Sequence, residues 1–136
     1  MIDYEAEFQR IIPIAVAHGV DPRFMLAIRC TENGAAGREF GVLSIAAPTW
    51  LDQCRVACVS VAHRLAEFEN QVTRYGKTVS YSRGEARYSD EFVKYFASRW
   101  APAGVVNDPT DLNAHWQRNA EALYKRFCAG EFRGAE

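Results

Sequence analysis

The sequence predicts a mainly helical domain over residues 1–136, with about five major helices and at most a small β element near residues 39–46. Apolar residues recur at three- and four-residue spacing in five stretches, which is the period of an amphipathic helix. Helix start and stop signals flank most of these stretches. A chain of 136 residues can bury roughly two-thirds of its unfolded surface, which suits a single domain.

The composition is that of an ordinary soluble globular protein, with 49% hydrophobic and 24% charged residues. The formal net charge of −1 argues against nucleic acid or a membrane surface as a general partner. No run approaches the ~20 apolar residues of a membrane-spanning helix. The start Met1–Glu5 is acidic and lacks an apolar core, so we expect no signal peptide and synthesis in the cytoplasm.

The first two helices are predicted from apolar faces and end signals. Residues 4–17 form the first, and Pro13 is expected to kink or split it. Asp21–Pro22 starts the second helix and Asn33–Gly34 ends it, because Asn and Gly tolerate the left-handed conformation that closes a helix. The expected buried face of the first helix consists of Phe8, Ile11, Ile12 and Val16.

The third helix begins at a capping box, Thr49 and Asp52, and runs to about residue 68 or 70. Its apolar stripe predicts the central core helix, and His63 lies at the edge of that stripe. At the helix start, Trp50 suits a cleft wall and core packing equally well. The stripe consists of Leu51, Cys54, Cys58, Val61, Leu65 and Phe68.

The second half of the chain predicts two more helices, over about 89–100 and 111–128. Residues 70–88 form a polar connection between the third and fourth helices. Its tyrosines, Tyr81 among them, can stack on sugar rings and bond their hydroxyls, or can simply anchor the loop.

The four cysteines do not form a metal-binding signature, since no CxxC or HExxH pattern accompanies them. We therefore expect reduced, mostly buried cysteines and neither a metal nor another cofactor. The cysteines are Cys30, Cys54, Cys58 and Cys128.

The most informative residue is Glu32, the last side chain of a mostly apolar helix. A carboxylate there faces the negative end of the helix dipole, and partial burial would also penalise its charge. Both effects favour the protonated form, which a general acid needs. On spacing alone, an ordinary exposed terminal glutamate explains the position equally well.

The stretch around Glu32 resembles the lysozyme-like superfamily, particularly small lytic transglycosylase and glucosaminidase-type domains of bacteria and their phages. In that group a helix ends in a catalytic glutamate followed by a small polar residue and glycine, here Thr31–Gly34. A Gly-hydrophobic-hydrophobic-polar segment then lines the sugar cleft, here Gly41–Ser44. The commonest pattern has serine at the place of Asn33 and glutamine at the place of Ser44.

The closing part of the chain carries a second resemblance to phage-type members of the same superfamily. There an aromatic-Ala-Pro loop and an Asn-containing turn cover the cleft before the last helix, here Arg99–Pro102 and Asn107–Pro109. The two resemblances together span roughly residues 20–125.

The resemblance implies a lysozyme-like domain, acting as a monomer, that cleaves the β-1,4 bond between N-acetylmuramic acid and N-acetylglucosamine in peptidoglycan. Glu32 would be the acid. A hydrolytic, inverting reaction would also need a second carboxylate, for which Glu39 is the nearest candidate, whereas a lytic transglycosylase needs none. The substrate-binding candidates are Asn33, Gly41, Val42, Ser44, Tyr81, Arg99, Trp100 and Asn107.

Without a signal peptide, such an enzyme would reach the wall through a phage particle, a holin or a secretion system. Two other functions fit the same sequence. One is a lysozyme-like domain without activity that binds the wall or builds a virion. The other is a helical interaction module in which both glutamates are surface charges.

Overall fold

The computed structural model describes residues 2–43, 46–74, 88–100 and 112–133, which form five helices and no strand. This confirms the mainly helical class predicted from the sequence. No helix in these ranges is both long and apolar enough to cross a membrane. The helices are α1 (Tyr4–Ala17), α2 (Pro22–Glu32), α3 (Trp50–Arg74), α4 (Asp90–Trp100) and α5 (Leu112–Cys128).

The residues predicted to start or end α2 and α3 make hydrogen bonds at those helix ends. Asp21 caps α2 by accepting from the Arg23 backbone N–H at 3.0 Å. Asn33 adopts the left-handed conformation at the end of α2, with φ 46°. The Thr49 hydroxyl accepts from the Asp52 backbone N–H at 3.1 Å and donates to Asp52 Oδ2 at 2.7 Å, so the two predicted capping residues of α3 bond to each other. Local chemistry therefore sets these boundaries.

The centre of the fold is α2, whereas the sequence pointed to α3. Residues 24–28 of α2 are all fully buried, so this helix is covered on every side, by α1 and α5 above all. Phe24 contacts the rings of Tyr88, Phe92, Phe96 and Tyr124 at 5.2–5.9 Å between centroids. The stripe of α3 buries only one face, which is why α3 lies at the side of the core.

Two residues predicted to be buried are exposed. Val16 is 63% exposed because the buried face of α1 is formed by Tyr4, Ile11 and Ala15. Leu51 is 38% exposed, since the neighbouring Trp50 faces the core in its place. In addition, α1 continues through Pro13 without splitting, and α3 extends to Arg74.

A buried polar network joins the start of α2 to α5. The Tyr124 hydroxyl donates to Asp21 Oδ2 at 2.6 Å and accepts from the Tyr88 backbone N–H at 2.9 Å. The Tyr88 hydroxyl in turn accepts from the Asp21 backbone N–H at 2.8 Å. Arg23 pairs with Asp21 at 3.0 Å, so the buried carboxylate has its counter-charge. Burial, with Asp21 beside it, raises the pKa of Tyr124 well above its usual range.

Candidate active site at the end of α2

The Glu32 carboxyl lies at the junction of three helices. Its Oε1 accepts a hydrogen bond from Trp100 Nε1 at 3.0 Å and another from Trp116 Nε1 at 2.8 Å. Trp100 ends α4, Trp116 lies in the first part of α5, and Glu32 ends α2. Because an indole N–H can only donate, both bonds require Oε1 to act as an acceptor.

The other side of the carboxyl lies against the backbone of Gly41. A β-carbon built on Gly41 would overlap the carboxyl carbon and Oε2 of Glu32. Gly41 also has φ 75°, in the region that favours glycine. The position therefore demands glycine for two independent reasons, and one of them is the presence of Glu32.

The two oxygens of Glu32 are thus held in different surroundings. Oε1 is engaged by two donors, whereas Oε2 lies beside the backbone of Gly41. Glu32 itself is half-buried. These contacts hold the carboxyl in one orientation.

The backbone that carries Gly41 is held by Gln53, a fully buried side chain of α3. Gln53 Oε1 accepts from the backbone N–H groups of Phe40 at 3.2 Å and Val42 at 3.1 Å. Its Nε2 donates to the carbonyl oxygens of Val42 at 2.8 Å and Ala47 at 2.7 Å. One side chain thereby supplies the partners that a neighbouring strand would give, and the described part of 39–46 contains no strand.

The sequence analysis missed Gln53, although a signal was available. Gln53 is spaced three residues from Trp50 and four from Ala57, on the buried face of α3. A glutamine on the apolar side of a helix must find hydrogen-bond partners, because an unpaired buried amide is costly. The backbone groups of Phe40, Val42 and Ala47 are those partners.

Glu39 is held within its own loop. Its Oε1 accepts from the Gly37 backbone N–H at 2.8 Å, and the residue is only 9% exposed. Its carbonyl oxygen accepts from Arg29 Nη1 at 3.5 Å. Glu39 therefore braces the loop through both its side chain and its carbonyl group.

Trp50 belongs to a separate cluster that joins α1 to α3. Its Nε1 donates to Glu7 Oε2 at 2.9 Å, and the same oxygen accepts from Arg29 Nε at 3.1 Å. The Arg10 guanidinium lies 3.8 Å above the Trp50 ring. Trp50 is 8% exposed, so of its two predicted roles the structure selects core packing.

The remaining candidate binding residues are placed as follows. Asn33 is exposed and caps α2 with its backbone N–H, while Val42 is buried and tied to Gln53. Arg99 is exposed one position before Trp100, near the end of α4. Three candidates lie outside the described residues, namely Ser44, Tyr81 and Asn107.

The four cysteines are free thiols, of which Cys54 and Cys58 are buried. Burial raises the pKa of Cys30 to about 12, which leaves its thiol protonated and unreactive at neutral pH. Within the described ranges, no group of three or more His, Cys, Asp or Glu side chains is arranged to hold a metal ion.

Comparison of the chain with protein-family models, with curated proteins and with solved structures gives no match.

Proposed function

We propose that this protein cleaves the glycan strands of peptidoglycan at the β-1,4 bond between N-acetylmuramic acid and N-acetylglucosamine, with Glu32 as the catalytic acid. One observation carries the proposal: a half-buried carboxyl at a helix end, bonded through Oε1 by two indole groups and backed by glycine at Oε2. A carboxyl held in a fixed orientation is what proton delivery to a glycosidic oxygen requires.

The chemistry would proceed through the two oxygens of Glu32. Oε2 donates its proton to the leaving glycosidic oxygen as the bond from that oxygen to the anomeric carbon of muramic acid breaks. The negative charge that remains on the carboxylate is stabilised by the N–H groups of Trp100 and Trp116. The carboxylate then accepts a proton from the nucleophile that attacks the anomeric carbon, which restores the acid.

We favour the C6 hydroxyl of the same muramic residue as that nucleophile, which gives a 1,6-anhydro product. Glu39, the candidate second carboxylate, is bonded to Gly37 within its loop. An intramolecular attack needs proximity more than an activated water, and proximity can supply of the order of 7–11 kcal/mol at best. A lytic transglycosylase with a single glutamate is therefore preferred to a muramidase.

One observation favours a second candidate, a lysozyme-like wall-binding or virion domain without activity. The same two indole bonds join α2, α4 and α5 through the Glu32 side chain, which is a purely structural role. In that case the protein would bind isolated peptidoglycan without releasing fragments.

The test is incubation with purified sacculi, followed by mass spectrometry of the released fragments. The wild-type protein should release muropeptides lighter by one water than the hydrolytic products. Glu32→Gln should abolish release, because the amide keeps an oxygen for the two indoles but has no proton to deliver. Glu91→Gln, an exposed change on α4, serves as the matched control and should leave release unchanged.

Each other outcome has a clear meaning. Release by Glu32→Gln at the wild-type rate would refute the role of Glu32. Reducing ends on muramic acid would replace the transglycosylase by a muramidase. Binding to sacculi without any release would favour the wall-binding domain.

A further inference from the structure

A groove of about 300 Å³ lies between α3 and α4, beside the Glu32 site. Its walls come from one face of each helix, with Val59, Ser60, His63 and Arg64 on α3 and Phe96, Arg99 and Trp100 on α4. The volume is at the lower end of the range for small-molecule sites. The groove combines apolar surface with three basic side chains.

The apolar part of the groove contains two stacked aromatic rings and a valine. Phe96 is fully buried, and the Trp100 ring stacks on it with 5.3 Å between centroids and 22° between planes. Val59 stands beside them and is 54% exposed. A ligand with a small apolar group would find an apolar surface there.

The basic side chains are held in place from behind by a pair of residues that do not line the groove. Glu67 accepts from Arg64 Nη1 at 3.0 Å, lies 3.0 Å from His63 Nε2, and accepts from the Tyr95 hydroxyl at 2.8 Å. Tyr95 in turn supports the Arg99 guanidinium, whose carbon lies 4.5 Å from the ring centroid. Long basic side chains usually lose conformational entropy on binding, and this bracing reduces that cost.

The charge at the groove remains positive. The Tyr95 hydroxyl and the Arg64 guanidinium lower the pKa of Glu67, whose carboxylate pairs with Arg64 and His63 and leaves Arg99 unpaired by it. Within the described part of the chain, Arg99 has no carboxylate partner and donates one hydrogen bond, to Ser98 Oγ at 2.9 Å. Stacking on Tyr95 occupies the face of the guanidinium and leaves its edge N–H groups for an anion.

We propose that this groove binds the acidic peptide carried by muramic acid, with the peptide carboxylate on Arg99 and Arg64. The inference rests on the proposed function and adds to it the part of the substrate that is recognised. A planar guanidinium pairs with a carboxylate through two parallel hydrogen bonds. The Ser60 hydroxyl suits a peptide amide, and the apolar side chains of Val59 and Trp100 suit an alanyl methyl group.

Trp100 connects this groove to the site of cleavage. One side chain lines the groove and also donates its Nε1–H to Glu32 Oε1 at 3.0 Å. A muramic residue positioned for cleavage at Glu32 would therefore have its peptide close to the groove. Binding of that peptide in the groove would place the muramic residue, and not N-acetylglucosamine, on the side of the cleaved bond that lies nearest the groove.

The test is a binding titration followed by NMR, with N-acetylmuramyl-L-alanyl-D-isoglutamine as the probe. The control probe is the same molecule with its free carboxyl converted to an amide, which removes the charge and keeps the size. We expect shift changes at Ser60, His63 and Arg99, and a threefold to tenfold tighter binding of the acid than of the amide.

Two variants in the groove and one control outside it locate the effect. Arg99→Gln should abolish the preference for the acid, whereas Lys94→Gln, which removes an exposed positive charge of α4 outside the groove, should keep it. Val59→Glu adds a carboxylate at an exposed rim position and should weaken binding of the acid more than of the amide. Circular dichroism verifies that each variant is folded.

The outcomes separate this inference from the proposed function. Equal affinity for acid and amide, shift changes away from the groove, or an unchanged preference in Arg99→Gln would each overturn the inference. Cleavage of sacculi by a protein with no such preference would leave the proposed function intact. Conversely, acid-selective binding in the groove by a protein that does not cleave sacculi would refute the proposed function alone.

Discussion

At the scale of single residues, the two sides of the Glu32 carboxyl impose different requirements. Oε1 accepts hydrogen bonds from Trp100 and Trp116. Oε2 lies where a β-carbon at position 41 would overlap it, so that position must be glycine. The first requirement is electrostatic and the second is steric. Each can be removed separately by substitution.

Gly41→Ala should disable the site. Its methyl group would displace the Glu32 carboxyl, and its backbone would be strained at φ 75°. Gly130→Ala is the matched control, because Gly130 has a similar φ of 81° but nothing within 4 Å of its β-carbon. Each variant should lose about 1–3 kcal/mol of unfolding free energy from backbone strain, measured by urea denaturation.

Only Gly41→Ala should also lose release of fragments from sacculi. If both alanine variants released fragments at the same rate, the contact between Gly41 and Glu32 would not be needed for cleavage.

At the scale of elements, α3 holds the backbone on either side of Gly41 through the side chain of Gln53. Gln53 provides four hydrogen bonds to the backbone of residues 40, 42 and 47, and so places Gly41 beneath Glu32. The segment depends on a helix that begins after it in the chain. A substitution of Gln53 on α3 should therefore displace the backbone at Gly41 and, through it, the Glu32 carboxyl.

Gln53→Leu should destabilise the protein strongly, because it leaves backbone donors and acceptors without partners in a buried place. Each unsatisfied group costs about 1–3 kcal/mol, so a loss of several kcal/mol is expected on urea denaturation. Gln9→Leu, an exposed change on α1, should alter stability by less than about 0.5 kcal/mol. A Gln53→Leu protein as stable as the wild type would show that water replaces the lost bonds.

The same scale shows what the sequence could and could not predict. Asp21, Asn33 and Thr49 mark helix ends through neighbours within four residues, so the ends were predictable. The bonds from Trp100 and Trp116 to Glu32 join residues 68 and 84 positions apart. Such contacts depend on how three helices pack, which periodicity does not specify. For that reason the sequence could propose Glu32 as a candidate, but it could not predict the hydrogen-bond partners of its carboxyl.

At the scale of the whole molecule, the network around Asp21 links distant parts of the chain. It connects the start of α2 with residue 88 and with α5, through bonds spanning 67 and 103 positions. These bonds close the fold around the buried helix. Their loss should lower global stability more than it alters the site.

Stability should therefore fall at alkaline pH in a way that depends on Tyr124. Its pKa is raised by burial and by Asp21, so the folded state favours the neutral phenol. This contribution is fully present below the ordinary tyrosine pKa of 10.0 and decreases as the pH rises above it. Urea denaturation at pH 8 and pH 11 should show a smaller decrease in Tyr124→Phe than in the wild type, although the variant is less stable at pH 8. Equal decreases would contradict this assignment.

The hydrogen bonds of the indole groups give the protein an optical signal of its own. Each of the three tryptophans donates its Nε1–H to a glutamate, Trp50 to Glu7 and the other two to Glu32. In a Trp50→Phe background, all remaining tryptophan fluorescence would come from rings bonded to Glu32. Engagement of that carboxyl by a sugar should shift the emission, and Glu32→Gln should change this response. The state of one carboxyl would then be readable in solution, without a label and without turnover.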